Sequence, residues 1–495
     1  MGEDIISNGT MIQYFEWELP ADASLWRNVS KEAKRLGKIG ITAVWLPPAY
    51  KGNDGINEVG YAVYDLYDLG EFNQKGTIPT KYGTKDEYIK AINDLHRYNI
   101  DVYGDISLDH KIGADEVEEV KVVEEDSNNR TNQISGEKYI AAWTKFDFPG
   151  RNNKYSDFKW NWTHFDGVDW DERTKKVSLY RFCGKSWDEG VDSENGNYDY
   201  LMGADIDFSN QEVVDELINW GKWYLYETNV DGFRIDAAKH ICYKFMLKWL
   251  KKLREVSGKE LFSVAEYWHP DAGVLQQYIS ETEGTMSVFD VPLHYNFTNA
   301  STSNGCFDMR KITCGSLLDR DPVKTVTFVD NHDTEPGQAL QSWVEGWFKQ
   351  CAYSFILLRQ EGYPCIFYGD LYGIEKSNIG PVPNLDLLVY VRRKYAYGNQ
   401  NNYIDHPDII GWTREGDEHH ENSGLAVLMT NAAGGNKRMY IGKQFAKCKF
   451  VDCLRHRKEV VEIDEEGYGL FFVEGGSVSV YINKLEYNSI KNKFR

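Results

Sequence analysis

The sequence has no apolar run long enough to cross a bilayer. Its richest apolar stretch, CAYSFILL from Cys351, has eight residues, whereas a spanning helix needs ~18. It also lacks an excess of positive charge, because 76 Asp and Glu outnumber 56 Lys and Arg for a net charge of −20. A chain this acidic is a poor candidate for binding nucleic acid or an anionic membrane, so we expect neither partner.

The cysteines lack the spacing of a metal site or redox motif. None of the eight forms C-x-x-C or pairs with histidine at a zinc interval. Cys351 and Cys365 lie in apolar runs, as buried, reduced thiols do. The first residues also lack the basic and apolar segments of a secretory leader. These features predict a cytoplasmic protein, which we expect to be a monomer.

Apolar segments typical of buried strands alternate with amphipathic helical segments over most of the chain. Thr84 with Glu87 and Ser209 with Glu212 have the spacing of capping boxes before two of the helices. About eight strand–helix units predict an α/β fold with a parallel (β/α)8 TIM barrel. The strand candidates are TMIQYFEW (from Thr10), ITAVWLPPAY (Ile41), DVYGDISLDH (Asp101), DGFRIDAAKH (Asp231), ELFSVAEYW (Glu260), SVFDVPLHY (Ser287), TVTFVDNHD (Thr325) and CIFYGD (Cys365).

Two regions interrupt this alternation and predict additional domains. Residues 110–210 are rich in Asp, Asn, Gly and aromatic residues, which indicates a loop-rich and β-rich domain inserted after the third strand. Residues 399–495 contain short alternating segments with Gly-rich turns, typical of an antiparallel β-sandwich. The barrel is therefore predicted to comprise residues 1–109 and 211–398.

Three carboxylates end predicted barrel strands, where barrel enzymes place their active sites. Asp236 closes GFRID, Glu266 closes FSVAE and Asp333 closes TFVDNHD. A single strand-end aspartate is as well explained by capping of the next helix. Three such residues, each beside His, Arg or Trp, are better explained by a functional cluster, because buried polar groups need partners.

Glycoside hydrolysis uses one ionised and one protonated carboxyl group. Arg234 lies two residues before Asp236 on the same strand face, so it favours an ionised nucleophile there. Glu266 has less polar neighbours that would raise its pKa, which suits a general acid/base. Asp333, together with His110 and His332, is placed to hold sugar hydroxyl groups.

Acidic oxygen donors cluster around the insertion. Oxygen ligands without cysteine favour calcium over zinc. Scattered aspartates in a loop-rich domain are also explained as solvated or turn-capping side chains, and both interpretations stay open at this point. The candidates are Asp109, Asp166, Asp188, Asp199, Asp205 and Asp207.

Four segments resemble the signature regions of the α-amylase family of glycoside hydrolases, and the chain is most similar to its bacterial liquefying branch and that branch's cytoplasmic members. They are DISLDH (105–110), GFRIDAAKH (232–240), VAEYW (264–268) and FVDNHD (328–333). The segments VWLPPAYKG, GYAVYDLYDLGEF, KYGTK, LMGADIDF and FDVPLHY are also similar to that branch. The similarity extends over essentially the whole chain.

The resemblance implies a role for each matching residue. It implies Asp236 as nucleophile, Glu266 as acid/base and Asp333 as transition-state stabiliser. For substrate contacts it implies Arg234, His110 and His332 at the first subsite, Tyr61 stacked on a sugar, and Lys239 and His240 at the next glucose. It further implies a calcium site of Asp109, Asp199, Asp205 and the His240 carbonyl, with Asp166, Asp188 and Asp207 at additional calcium or sodium positions.

Two positions depart from the family pattern. Asp109 stands where the family usually has Asn, and Ser209 where the most similar relatives have Asp. The resulting prediction is an endo-acting α-amylase that cleaves internal α-1,4 bonds of starch, glycogen or maltodextrins with retention. The alternatives are another linkage or a transglycosylation preference in the same family, and a non-catalytic α-glucan-binding protein.

Overall fold

The computed structural model describes residues 8–494, so residues 1–7 of the predicted first barrel segment lie outside it. Eight parallel strands close into a barrel in which each strand pairs with its neighbours in sequence order, which confirms the predicted fold class. The barrel strands are Met11–Gln13, Ala43–Leu46, Asp101–Ile106, Gly232–Ile235, Phe262–Ala265, Ser287–Phe289, Thr325–Phe328 and Tyr363–Phe367.

Helices surround the barrel and cover it with their apolar faces. The first helix, for example, buries Trp26, Val29, Ala33 and Leu36 at helical spacing. No helix among the described residues combines the length and apolarity that a membrane span requires. The α-helices are Leu25–Ile39, Lys85–His96, Gln211–Thr228, Tyr243–Ser257, Ala272–Glu281, Val291–Thr302, Leu317–Arg320, Gly346–Leu358, Tyr368–Tyr372, Leu385–Tyr395 and Lys484–Ile490.

One predicted helix cap is confirmed and another is wrong. The Thr84 hydroxyl accepts from the Glu87 amide while the Glu87 carboxylate accepts from the Thr84 amide. The helix after residue 209 is instead capped by Asn210, whose side chain accepts the Glu212 amide at 3.0 Å. Asn is as good an N-cap as Ser, so the helix begins one residue later than expected.

The segment SVFDVPLHY is not a strand throughout. The strand ends at Phe289, and helix Val291–Thr302 follows. The Asp290 side chain accepts the Leu293 amide at 3.1 Å and Pro292 occupies the first helical turn. Because proline fits the first turn of a helix, this segment switches from strand to helix at Asp290.

An antiparallel seven-stranded sheet follows the third barrel strand. Its first strand, His110–Lys111, pairs with its last, Ala204–Ile206, so both ends of the insertion return to the barrel together. A short hairpin of Lys51–Gly52 and Val63–Asp65 carries Tyr61 nearby. The remaining strands of this sheet are Glu116–Asp126, Asn129–Gln133, Lys138–Lys145, Phe165–Asp171 and Lys176–Phe182.

The C-terminal region forms a six-stranded antiparallel sheet and a separate two-stranded antiparallel sheet, Gly435–Tyr440 with Tyr468–Val473. Leu428 and Phe450 of the larger sheet share one buried core with Met439 and Phe471 of the smaller one, as in a β-sandwich. The larger sheet contains Gln400–Tyr403, Ile409–Arg414, Leu425–Thr430, Lys449–Asp452, Val461–Glu462 and Val478–Asn483.

Candidate active site

The three predicted carboxylates lie at the C-terminal end of the barrel. Asp236 and Glu266 follow neighbouring parallel strands that pair Ile235 with Ala265. The Glu266 amide donates to the Ile235 carbonyl at 2.9 Å, which extends the ladder by one residue. Asp333 follows strand Thr325–Phe328, two strands further round the barrel. The strand order therefore brings these residues to one rim.

Arg234 connects the acidic groups of this rim. Its guanidinium is fully buried and lies 2.6 Å from Asp236 Oδ1, 3.2 Å from Glu266 Oε2 and 2.9 Å from Asp105 Oδ1. One planar cation thus faces three carboxyl groups in fixed directions. Such a neighbour favours the ionised form of a carboxylate in contact with it.

Asp105 is a site residue that the sequence reasoning missed. It is fully buried and accepts hydrogen bonds from Tyr61 Oη at 2.8 Å and Trp45 Nε1 at 2.9 Å. Burial raises its pKa to about 6 although Arg234 opposes that shift. Asp105 positions both Arg234 and Tyr61. Its position in the DISLDH segment, near the end of a buried strand, is the sequence feature that could have identified it.

Glu266 has the environment of a general acid. Burial raises the pKa of its carboxyl group to about 7, with Arg234 opposing and negative Asp236 adding to the shift. The Ala237 amide donates to Glu266 Oε2 at 3.0 Å. Ala237 adopts a left-handed conformation with φ of 49°, which is unfavourable for a residue with a Cβ. Backbone strain is thus located between the two carboxylates.

Asp333 is the most accessible of the three, with a side chain 19% exposed. Burial and the negative charge of Glu266 raise its pKa. Its neighbour His332 lies with Nε2 3.4 Å from Asp333 Oδ2 and Nδ1 3.0 Å from Gln13 Nε2. Burial and the charge of Arg234 lower the pKa of His332. A neutral His332 that accepts from Gln13 directs its Nε2–H towards Asp333.

Three aromatic rings form a wall beside Asp333. Tyr61 and His332 are stacked with centroids 5.2 Å apart, and Trp17 lies nearly parallel to both, at 6.0 Å and 5.8 Å. Flat apolar faces with polar edges suit the stacking of a sugar ring. No local sequence feature identifies Trp17 as a site residue, because His332, which it contacts, lies more than 300 residues further along the chain.

His110, Lys239 and His240 lie where the inserted domain meets the barrel. Both nitrogens of His110 have protein partners, Asp109 Oδ2 at 3.1 Å and the Tyr61 carbonyl at 2.8 Å. Although burial opposes it, Asp109 raises the pKa of His110. Lys239 pairs with Glu194 at 2.9 Å. His240 Nδ1 lies 2.7 Å from the Tyr198 carbonyl, and burial lowers its pKa to about 3.

The predicted metal ligands include a compact buried cluster. Carboxylate oxygens of Asp166, Asp188 and Asp199 lie within 4.8 Å of one another. Burial and the negative charge of Asp207 raise the pKa of Asp166 to about 10 and that of Asp188 to about 7. Within residues 8–494, Asp166 Oδ2, Asp109 Oδ1 and Asp205 Oδ2 are buried without a hydrogen-bond partner. This set of orphaned oxygen donors is suited to calcium.

The remaining predicted ligands flank this cluster. The Ile206 amide donates to the Asp109 carbonyl at 3.0 Å, so Asp109 and Asp205 lie on paired segments. Asp207 already has a cation, because Lys185 forms an ion pair with it. Ser209 donates its hydroxyl hydrogen to Asp207 at 2.5 Å. Asp207 is therefore the least available of the predicted ligands.

A cavity of about 390 Å³ opens between strands of the inserted sheet and the segments around Asn53 and Lys75. Trp143 and Trp170 line it, and both indole N–H groups donate to Glu172 Oε2, at 3.1 Å and 2.8 Å. Asn53 and Lys75 add polar groups to its lining. Sequence reasoning missed this cavity, because the strands that form it are brought together only by the inserted sheet.

The fold and the site define an acid–base enzyme built on a (β/α)8 barrel. The model of the α-amylase catalytic domain matches residues 26–415. The chain is 57% identical over 478 residues to an α-amylase of Geobacillus stearothermophilus, covering 96% of this chain and 87% of that one. It is 42% identical over 491 residues to the cytoplasmic α-amylase of Escherichia coli (strain K12), covering 96% and 99%.

A solved structure supports the fold independently. The α-amylase from Geobacillus thermoleovorans complexed with acarbose aligns with a TM-score of 0.62 at 16% identity, over 97% of this chain and 98% of that one. The chain belongs to the α-amylase family of glycoside hydrolases. The resemblance found in the sequence is thereby confirmed.

Proposed function

We propose that this enzyme is an endo-acting α-amylase that hydrolyses internal α-1,4-glucosidic bonds of starch, glycogen or maltodextrins with retention of configuration. The observation that carries the proposal is the single guanidinium of Arg234 between Asp236 and a Glu266 whose pKa is raised to about 7. Burial thus favours the protonated form of Glu266 beside a second carboxylate, which is the pair that retaining glycoside hydrolysis uses.

In the proposed mechanism, an Asp236 oxygen attacks the anomeric carbon while Glu266 transfers its proton to the leaving glycosidic oxygen. The bond to the leaving chain breaks, and a covalent glycosyl-enzyme remains on Asp236. Glu266, now ionised, takes a proton from water as the water oxygen attacks the same carbon. This second displacement releases Asp236 and restores the proton on Glu266, so the configuration is retained.

The surrounding groups orient the sugar. Tyr61, Trp17 and His332 offer their ring faces to the glucose at the cleavage point. Asp333 accepts from sugar hydroxyl groups and stabilises positive charge at the ring in the transition state. Arg234, His110, Lys239 and His240 complete the predicted contacts. The cavity lined by Trp143 and Trp170 offers further stacking faces to a long glucan chain.

Calcium is the proposed cofactor, and its role is structural. Asp109, Asp199, Asp205 and the His240 carbonyl form the first proposed site, and Asp166, Asp188 and Asp207 contribute to further calcium or sodium positions. A bound cation would neutralise buried carboxylates that otherwise repel one another. It would thereby hold the inserted domain against the barrel.

A cytoplasmic location is supported by two observations. All eight cysteines are free thiols in the described residues, and one similar relative is named a cytoplasmic α-amylase. A reducing compartment keeps such thiols unpaired.

The product ladder from maltoheptaose tests the function. An endo-acting α-amylase releases several maltooligosaccharides, and the new reducing ends are initially α-anomers by proton NMR. Products longer than the substrate would indicate transglycosylation. Selective cleavage of α-1,6 branch points would indicate another linkage, and absence of any new reducing end from soluble starch would leave only glucan binding.

A further inference from the structure

A buried charge cluster lies outside the acidic rim, under the loop that carries Asp333. Lys349 belongs to helix Gly346–Leu358, Asp330 follows the seventh barrel strand, and Asp370 follows the eighth. Each is at most 2% exposed. Lys349 Nζ lies 2.9 Å from Asp330 Oδ2, forms an ion pair with Asp370, and lies 3.0 Å from the centre of the Trp343 ring.

Burying such a cluster is energetically unfavourable unless its charges are well paired. Removing one ammonium and two carboxylates from water costs free energy that their mutual attraction repays only with good geometry. Apolar side chains of similar volume would often pack at least as stably. The cluster is therefore better explained by the arrangement it imposes on the chain than by stability alone.

Continuous hydrogen bonds lead from this cluster to Asp333. Asp330 Oδ1 accepts from the Thr334 hydroxyl at 2.8 Å, and that hydroxyl oxygen accepts the Asn331 amide at 3.0 Å. Asn331 Oδ1 in turn accepts the amides of Asp333 and Thr334, each at 2.9 Å. Asp330 Oδ2 also accepts the Val344 amide at 3.2 Å, which closes the loop over residues 330–344.

We propose that Lys349 is a positioning residue for Asp333. It fixes Asp330 against Asp370, and Asp330 then fixes the turn of Asn331 and Thr334 that orients the Asp333 carboxylate towards the sugar. This inference rests on the proposed role of Asp333 as transition-state stabiliser. Without the ammonium group, Asp330 and Asp370 repel each other and the turn loses its anchor. A displacement of about 1 Å at a reacting group costs roughly 100-fold in rate.

The test compares two buried cations in the full-length protein. Lys349→Met removes the charge at similar length. The matched control is Arg392→Met, because Arg392 is 4% exposed and donates to the Gly9 and Leu357 carbonyls, with Gly9 at the opposite end of the barrel. Activity on maltoheptaose is measured at a temperature where circular dichroism shows both variants folded.

We expect Lys349→Met to lower kcat by about 30-fold or more with KM within ~3-fold, since the other sugar contacts remain. Arg392→Met should keep kcat within ~2-fold of the parent. A kcat of Lys349→Met that also stays within ~2-fold would overturn the proposal. So would an equal loss of kcat in both variants, because that result would reflect general destabilisation.

Thr334→Val provides a second, milder variant that preserves side-chain shape. It should lower kcat by about 10-fold, and combining it with Lys349→Met should add little, because both substitutions break the same chain of hydrogen bonds. If Lys349→Met does not fold, a normal kcat for Thr334→Val overturns the inference. Asp333→Asn separates the two hypotheses. An active Asp333→Asn refutes the role of Asp333 and this inference with it, whereas an inactive Asp333→Asn beside active Lys349→Met and Thr334→Val refutes the inference alone.

Discussion

The guanidinium of Arg234 lies 2.6 Å from Asp236 Oδ1, and the two residues are on the same face of their strand. The same group also reaches Glu266 and Asp105. Lysine has one point charge and cannot face three carboxyl groups in one plane. We expect Arg234→Lys to lower kcat/KM by roughly 1000-fold while the protein remains folded. A loss smaller than ~3-fold in initial-rate assays would show that the planar contact is dispensable.

Asp236→Asn tests the nucleophile directly. The amide keeps the shape of the side chain but cannot form the covalent intermediate, so kcat should fall by about 10,000-fold or more. Binding of maltoheptaose, measured by calorimetry, should change by less than ~5-fold, because the sugar contacts remain. Substantial residual turnover would assign the nucleophile to another residue. Asp308→Asn, a change at a residue that pairs with Arg310 and has a side chain 25% exposed, serves as the control.

The pH profile should report Glu266. Burial raises its pKa to about 7, and a general acid must carry its proton. The free enzyme therefore keeps the required proton below pH 7 and loses it as the pH rises. We expect kcat/KM to fall above about pH 7, approaching tenfold per pH unit. A constant kcat/KM up to pH 9 would contradict the assignment, and Glu266→Gln should remove this dependence together with most activity.

Cation removal should destabilise the protein. Ligand bound only by the folded state raises its stability, so dialysis against EDTA should lower Tm by roughly 5–10 °C, and calcium should restore it. Asp199→Asn should have a lower Tm in calcium and a smaller response to EDTA. Asp308→Asn should respond like the parent protein. If neither EDTA nor added calcium changes Tm, the acidic cluster is held by hydrogen bonds and protonation instead.

The barrel and the acidic rim were accessible from the sequence because strand-end position is a local signal. A buried strand followed by Asp or Glu predicts where that side chain lies, and Asp236, Glu266 and Asp333 followed this rule to one rim. The apolar run from Ser287 predicts too long a strand, because it continues into helix Val291–Thr302, which Asp290 caps. Periodicity over so few residues does not distinguish the two.

Contacts between residues that are distant along the chain could not be predicted from the sequence. Trp17 contacts His332, and Lys349 contacts Asp330 and Asp370, only because the barrel closes. In the sequence Lys349 lies beside the apolar run of its helix, without any local sign of its ion pairs. Ala237 likewise adopts a left-handed conformation that alanine itself disfavours, and its amide donates to Glu266, a residue distant along the chain.

The segment of residues 105–110 has a mechanical consequence. Asp105 holds Arg234 in the rim, whereas Asp109, four residues later, belongs to the acidic group at the inserted domain. Four residues span at most about 14 Å, so Asp105 and Asp109 cannot move far apart. We therefore infer that a shift of the inserted domain displaces Arg234. We expect heating to abolish activity at a temperature where far-UV circular dichroism still shows the barrel helices.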